Sequence, residues 1–139
     1  MKALRVLIVE NEPIIALLFA EVLAEMGHVV CGCAATQDEA VRAAASLQPD
    51  LIIADVRLSE GTGIDAIRTI EQAGFVPHVF VSGNVLDPAL LNPAAGVLHK
   101  PFHEAQLVMA IERAIDPANV LIGAQHAREN RPGTQTSAR

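Results

Sequence analysis

Four short apolar runs in this chain each end on a polar residue suited to phosphate chemistry. Leu4–Val9 leads into Glu10-Asn11-Glu12, and Leu51–Ala54 leads into Asp55. Val79–Val81 leads into Ser82, and Val97-Leu98 into His99-Lys100-Pro101. Runs this short and apolar, alternating with helical patterns, predict parallel strands covered on both faces. The carboxyl ends of such strands share one edge, and open α/β sheets bind ligands there. An acid cluster, a lone aspartate, a hydroxyl and a lysine would then meet in one crevice.

Between the runs, helix signals recur. Glu12-Pro13 opens a helix whose apolar positions continue to Met26, with Gly27 placed to stop it. His28–Cys33 follows as a strand. Thr36 with Glu39 forms a capping-box pattern for a helix through about Ser46. A third helix is expected after the loop Ser59–Gly63, and a last one over Phe102–Ile115 on the stripe Leu107, Val108, Ile111 and Ile115. Between the fourth and fifth strands, Pro88 and Pro93 leave room for only a short, poorly formed helix in Gly83–Ala94. Past Asp116-Pro117 the apolar period fades, so residues 117–139 are expected to be a disordered tail.

Bulk properties narrow the partners. The 139 residues suit one domain, and 51% hydrophobic residues suffice for a core of small aliphatics. A formal net charge of −6 argues against nucleic acid or an anionic membrane as partner. No signal-peptide pattern and no spanning apolar run is present, which predicts a cytoplasmic protein. Cys31 and Cys33 lie two apart on one strand and, like the five histidines, read as packing or surface residues.

Four motifs together resemble the receiver domain of response regulators in two-component signalling. They are Val6-Leu7-Ile8-Val9-Glu10-Asn11-Glu12-Pro13; Pro49–Asp55 followed by Leu58 and Gly63; Phe80-Val81-Ser82-Gly83; and His99-Lys100-Pro101-Phe102. The resemblance covers residues 3–116. It implies a flavodoxin-like (βα)5 fold, a doubly wound parallel sheet with strand order 2-1-3-4-5. It also implies that Asp55 takes a phosphoryl group from a histidine kinase or histidine phosphotransferase, with Mg²⁺ as cofactor. Glu10, Asn11, Asp55 and the carbonyl of Arg57 would hold the metal, while Lys100 and Ser82 would meet the phosphoryl oxygens. A cis Lys100–Pro101 bond is part of the same expectation.

The chain departs from the family in three places. Asn11 stands where the family carries a metal-binding aspartate, so weaker Mg²⁺ binding is expected. Val97 replaces the aromatic residue that turns inward on activation. The Gly83–Ala94 segment is short, and Phe80-Val-Ser-Gly83 resembles the Phe-Ala-Thr-Gly string of an atypical receiver branch. The expected protein is a stand-alone, non-enzymatic receiver that signals to a downstream protein target, with homodimerisation possible by family analogy. The alternative is a pseudo-receiver, a binding module that works without phosphorylation. A small enzyme on the same fold would need a phosphate-cradling loop, and Gly61-x-Gly63 does not supply one.

Overall fold

The computed structural model describes residues 3–130. Strands β1 (Arg5–Val9), β2 (Val29–Ala34), β3 (Leu51–Asp55), β4 (His78–Ser82) and β5 (Gly96–His99) form one sheet in the order β2-β1-β3-β4-β5. Every neighbouring pair is parallel. The β1–β2 register slips beside Cys31, a local bulge on the edge strand. This is the flavodoxin-like arrangement expected from the sequence.

Alternation along each strand divides the core in two. Val6, Ile8, Ile53, Val79 and Val81 face one way and pack with Phe19 and Leu23 of α1 (Pro13–Glu25). Leu107 and Ile111, from what proves to be the fourth helix, α4 (Glu104–Ala114), complete that layer. Leu7, Val9, Ile52, Ala54 and Phe80 face the other way. There they meet Ala40 and Ala44 of α2 (Gln37–Leu47) and Ala66, Ile67 and Ile70 of α3 (Gly63–Glu71). Small alanines on α2 let that helix lie close to the sheet.

The caps follow the sequence closely. Thr36 Oγ1 accepts from the Glu39 N–H at 3.1 Å, and Glu39 Oε1 reaches back to the Ala35 N–H at 2.8 Å. Thr62 Oγ1 caps α3 through the Asp65 N–H at 3.1 Å. Lys100–Pro101 is cis.

Two regions differ from the sequence reading in degree or outright. The helix expected to be short between β4 and β5 is reduced to a single 3-10 turn, Pro88–Leu90. The expected disordered tail from residue 117 is corrected: Pro117–Glu129 is a helix, α5, capped by Asp116 Oδ2 accepting from the Ala118 N–H at 3.2 Å. Residues 131–139, the rest of that expectation, lie outside the described residues. Helix α5 runs back to the α3 side of the sheet. Asn92 Nδ2 donates to the Gly123 carbonyl at 3.1 Å, and Asn119 Nδ2 donates to the Ala94 carbonyl at 2.9 Å. Thus α5 packs against the segment that has no full helix of its own.

Glu71, at the end of α3, lies under this contact and accepts from Asn92 Nδ2 at 3.1 Å. Burial pushes its carboxyl up to about 7, against a smaller opposing effect of that hydrogen bond. The folded protein therefore holds this proton more tightly than the unfolded chain. Its stabilisation is complete below the ordinary carboxyl pKa and is lost as pH rises through about 7. Glu71→Gln should flatten the fall in thermal midpoint between about pH 5 and about pH 8 relative to the parent protein. The difference should be on the order of 1 kcal/mol, because solvent still screens a half-buried carboxylate.

Candidate functional site

Four strand ends deliver the site. Asp55 is the last residue of β3 and Ser82 the last of β4, while Lys100 follows β5 directly. Pairing of Ser82 with His99, and of Asp55 with Val81, keeps these ends level. Glu10 follows β1, and its N–H is held by the Ala34 carbonyl at 2.8 Å. A cleft of about 490 Å³ opens over them, lined by Asn11, Glu12, Asp55, Arg57, Ser82 and Lys100 among others. The sequence-predicted residues are thus brought together, with Glu10 buried beneath the rest.

Asp55 is only 5% exposed, yet both carboxylate oxygens are engaged. Oδ2 accepts from Lys100 Nζ at 2.8 Å, and Oδ1 accepts from the Arg57 N–H at 3.0 Å. A charge-assisted bond of this length fixes the lysine over the carboxylate. Burial works against the Lys100 ammonium, but the Asp55 bond and charge, with Glu10 and Glu12 beyond, hold its pKa above the usual lysine range. Gly63, which opens α3, sits against the Asp55 carbonyl so closely that a Cβ there would collide with it. Its N–H donates to the Val56 carbonyl at 2.9 Å, which folds the loop after β3 tightly around the aspartate.

Glu10 is the unusual member. Oε2 accepts from the Glu12 N–H at 3.0 Å, whereas Oε1 is buried with no hydrogen-bond partner. Burial first, then the neighbouring Asp55, raises its pKa to about 7. A buried, partnerless carboxylate oxygen beside a second carboxylate is a place where a hard cation fits. The donors available to one are Glu10, Asp55, the Asn11 amide oxygen and the Arg57 carbonyl. Among the described residues, no group of three or more His, Cys, Asp or Glu side chains could hold a metal. Position 11, next to Glu10, is an asparagine, so this donor set carries two carboxylates.

Ser82 is buried, and its hydroxyl is turned onto the following loop. Oγ donates to the Asn84 carbonyl at 2.7 Å and accepts from the Asn84 N–H at 3.0 Å. Val97 is half-buried on β5. Glu12, read from the sequence as part of the acid cluster and as a helix opener but not among the site residues, lines the cleft and contributes to the field on Lys100.

Fold and site together define a receiver domain of two-component signalling. The sequence matches the response regulator receiver domain family over residues 6–112, and the chain belongs to that family. It is 34% identical over 123 residues to the phyllosphere-induced regulator PhyR of Methylorubrum extorquens, covering 81% of this chain and 44% of that one. It is 37% identical over 115 residues to the transcriptional regulatory protein PdtaR of Mycobacterium tuberculosis, covering 80% of this chain and 56% of that one. The chain thus spans about half the length of these curated relatives. The solution structure of the Erythrobacter litoralis PhyR receiver domain aligns with a TM-score of 0.74 at 32% identity, covering 83% of this chain and 92% of that one.

The Asp55–Lys100 pair gives a direct test of the site's energetics. Lys100→Ala strands a buried carboxylate and should cost about 1–3 kcal/mol in denaturant unfolding. Asp55→Ala/Lys100→Ala should recover much of that loss, giving a clear coupling in the double-mutant cycle.

Proposed function

We propose that this chain accepts a phosphoryl group on Asp55 from the phosphohistidine of a histidine kinase or histidine phosphotransferase. The observation that carries the reading is the 2.8 Å Lys100–Asp55 pair, set in a cleft that also holds the Ser82 hydroxyl. In the transfer, the P–N bond to the donor imidazole breaks as an Asp55 carboxylate oxygen forms the new P–O bond. The imidazole keeps the bonding pair and takes up a proton from solvent. Asp55 Oδ1, held by one backbone N–H, retains a free lone pair for this attack. Lys100 passes from the carboxylate to the arriving phosphoryl oxygens and offsets their charge. A Mg²⁺ ion bound by Glu10, Asn11, Asp55 and the Arg57 carbonyl would supply further charge neutralisation. The chain itself performs no turnover on a substrate; it is a switch.

The protein signals through protein contacts. Helix α1 starts at the cleft rim and leaves Ile14, Leu17 and Leu18 exposed, an apolar surface for a protein phosphodonor. A solved relative, PhyR of Bartonella quintana, is described as an anti-anti-sigma factor, which supports a protein as the downstream target here too. No described helix is long and apolar enough to cross a membrane. A second reading, a pseudo-receiver that works without phosphate, draws support from the missing third acid at Asn11.

Intact-protein mass after incubation with acetyl phosphate across a Mg²⁺ titration separates the two. The expected result is a Mg²⁺-dependent phosphoryl adduct that is lost in Asp55→Ala. Asn11→Asp should shift the Mg²⁺ midpoint down about tenfold, the effect of ~1.4 kcal/mol from one added charge beside a divalent ion. An adduct that forms only in Asn11→Asp would favour the pseudo-receiver.

A further inference from the structure

The segment joining β4 to β5 is held at its two ends by single polar side chains. At the β4 end, Ser82 Oγ makes both bonds to Asn84, one donated and one accepted. At the β5 end stands Asn92, buried and fully engaged. Its Nδ2 reaches Glu71 and the Gly123 carbonyl, both at 3.1 Å, and its Oδ1 accepts from the Ala94 N–H at 2.9 Å. Between the anchors lie one 3-10 turn capped by Asp87, an almost fully exposed Val85, and the partly buried Leu86 and Leu91 against the core, with Arg68 of α3 donating to the Leu90 carbonyl at 3.2 Å. A segment with one short turn in place of a helix has few backbone bonds to break when it rearranges.

Helix α5 is fastened to the far anchor. Besides the Asn92–Gly123 bond, Asn119 Nδ2 holds the Ala94 carbonyl at 2.9 Å. Gly123 presses on the Phe75 ring so closely that any Cβ would overlap it. Only two α5 residues, Gly123 and Ala127, are buried, while Leu121 and Ile122 are exposed. With no large apolar side chain among its buried residues, α5 depends heavily on these specific contacts for its seat.

The near anchor has one proton to give. A serine hydroxyl carries a single donor hydrogen, and here it is donated to Asn84. A phosphoryl oxygen on Asp55 competes for that hydrogen and leaves the Asn84 carbonyl without its donor. We propose that α5 is a latch helix coupled to the phosphorylation site through residues 83–94. It is seated while Ser82 bonds Asn84, and it unseats when the hydroxyl is withdrawn, changing the surface formed by α3, the 3-10 turn and α5. The direction of this switch rests on Asp55 being the phosphoacceptor; the coupling itself does not.

Hydrogen exchange read by mass spectrometry on the full chain tests both parts. Four samples are compared: the parent protein without donor, the parent protein with acetyl phosphate and Mg²⁺, and Ser82→Ala and Gly123→Val without donor. Intact mass reports the adduct, and retained protection in β1 and β3 certifies the fold. Phosphorylated protein and Ser82→Ala should each exchange the 117–129 amides about tenfold faster. Gly123→Val should speed exchange in 117–129 and also in 86–94. An adduct with unchanged α5 exchange overturns the proposal, as does an unchanged α5 in Ser82→Ala. Gly123→Val that frees α5 without loosening 86–94 overturns the coupling. Absence of any adduct counts against the phosphoacceptor reading alone, and the two variants still decide whether α5 and the segment move together.

Discussion

The ion pair between Asp55 and Lys100 ties the ends of β3 and β5 together across the end of β4. Its 2.8 Å contact brings a cation to a cleft whose acidic lining is Glu12 and Asp55, with Glu10 buried beneath them. Without that charge, buried carboxylates at the ends of neighbouring strands would repel one another or take up protons. Glu10 already shows the second tendency, with its pKa raised by burial and by Asp55. The site is therefore balanced between too much negative charge and too little. That balance suits a place where a dianionic group arrives and leaves.

The parallel sheet makes this pair possible, and the sheet needs cover on both faces. On the α1 side, α4 supplies it with Leu107 and Ile111. On the α3 side, the connection after β4 forms only the turn Pro88–Leu90 and covers the core with Leu86 and Leu91, and α5 returns from the end of the domain to pack against it. Cover near β5 thus comes from an element distant in sequence and joined through asparagine side chains. Packing of that kind is weaker and more polar than the core beneath it. It is also the kind of contact that a change of one hydrogen bond can disturb.

The strands and the site residues were legible in the sequence because central parallel strands are continuous apolar runs. Where each run stops, the residue at the ligand edge is named directly: Asp55 after Ala54, Ser82 after Val81, Lys100 after His99. Helix α5 was not legible, since its buried residues are Gly123 and Ala127, which leave no bulky stripe at helical spacing. The start signal was nonetheless present in Asp116-Pro117, an N-cap followed by proline in the first turn. Burial of Glu71 was hidden for a different reason. It depends on α5 being there, so local pattern could not reveal it.

The most direct measurement of the central claim is fluorine NMR of the chain with beryllofluoride, which mimics a phosphoryl group on a carboxylate, in the presence of Mg²⁺. A protein-bound resonance that disappears in Asp55→Asn and weakens in Lys100→Ala is the expected result. A bound resonance that persists in Asp55→Asn, or none at any Mg²⁺ concentration, would contradict a phosphoryl site built on Asp55 and Lys100.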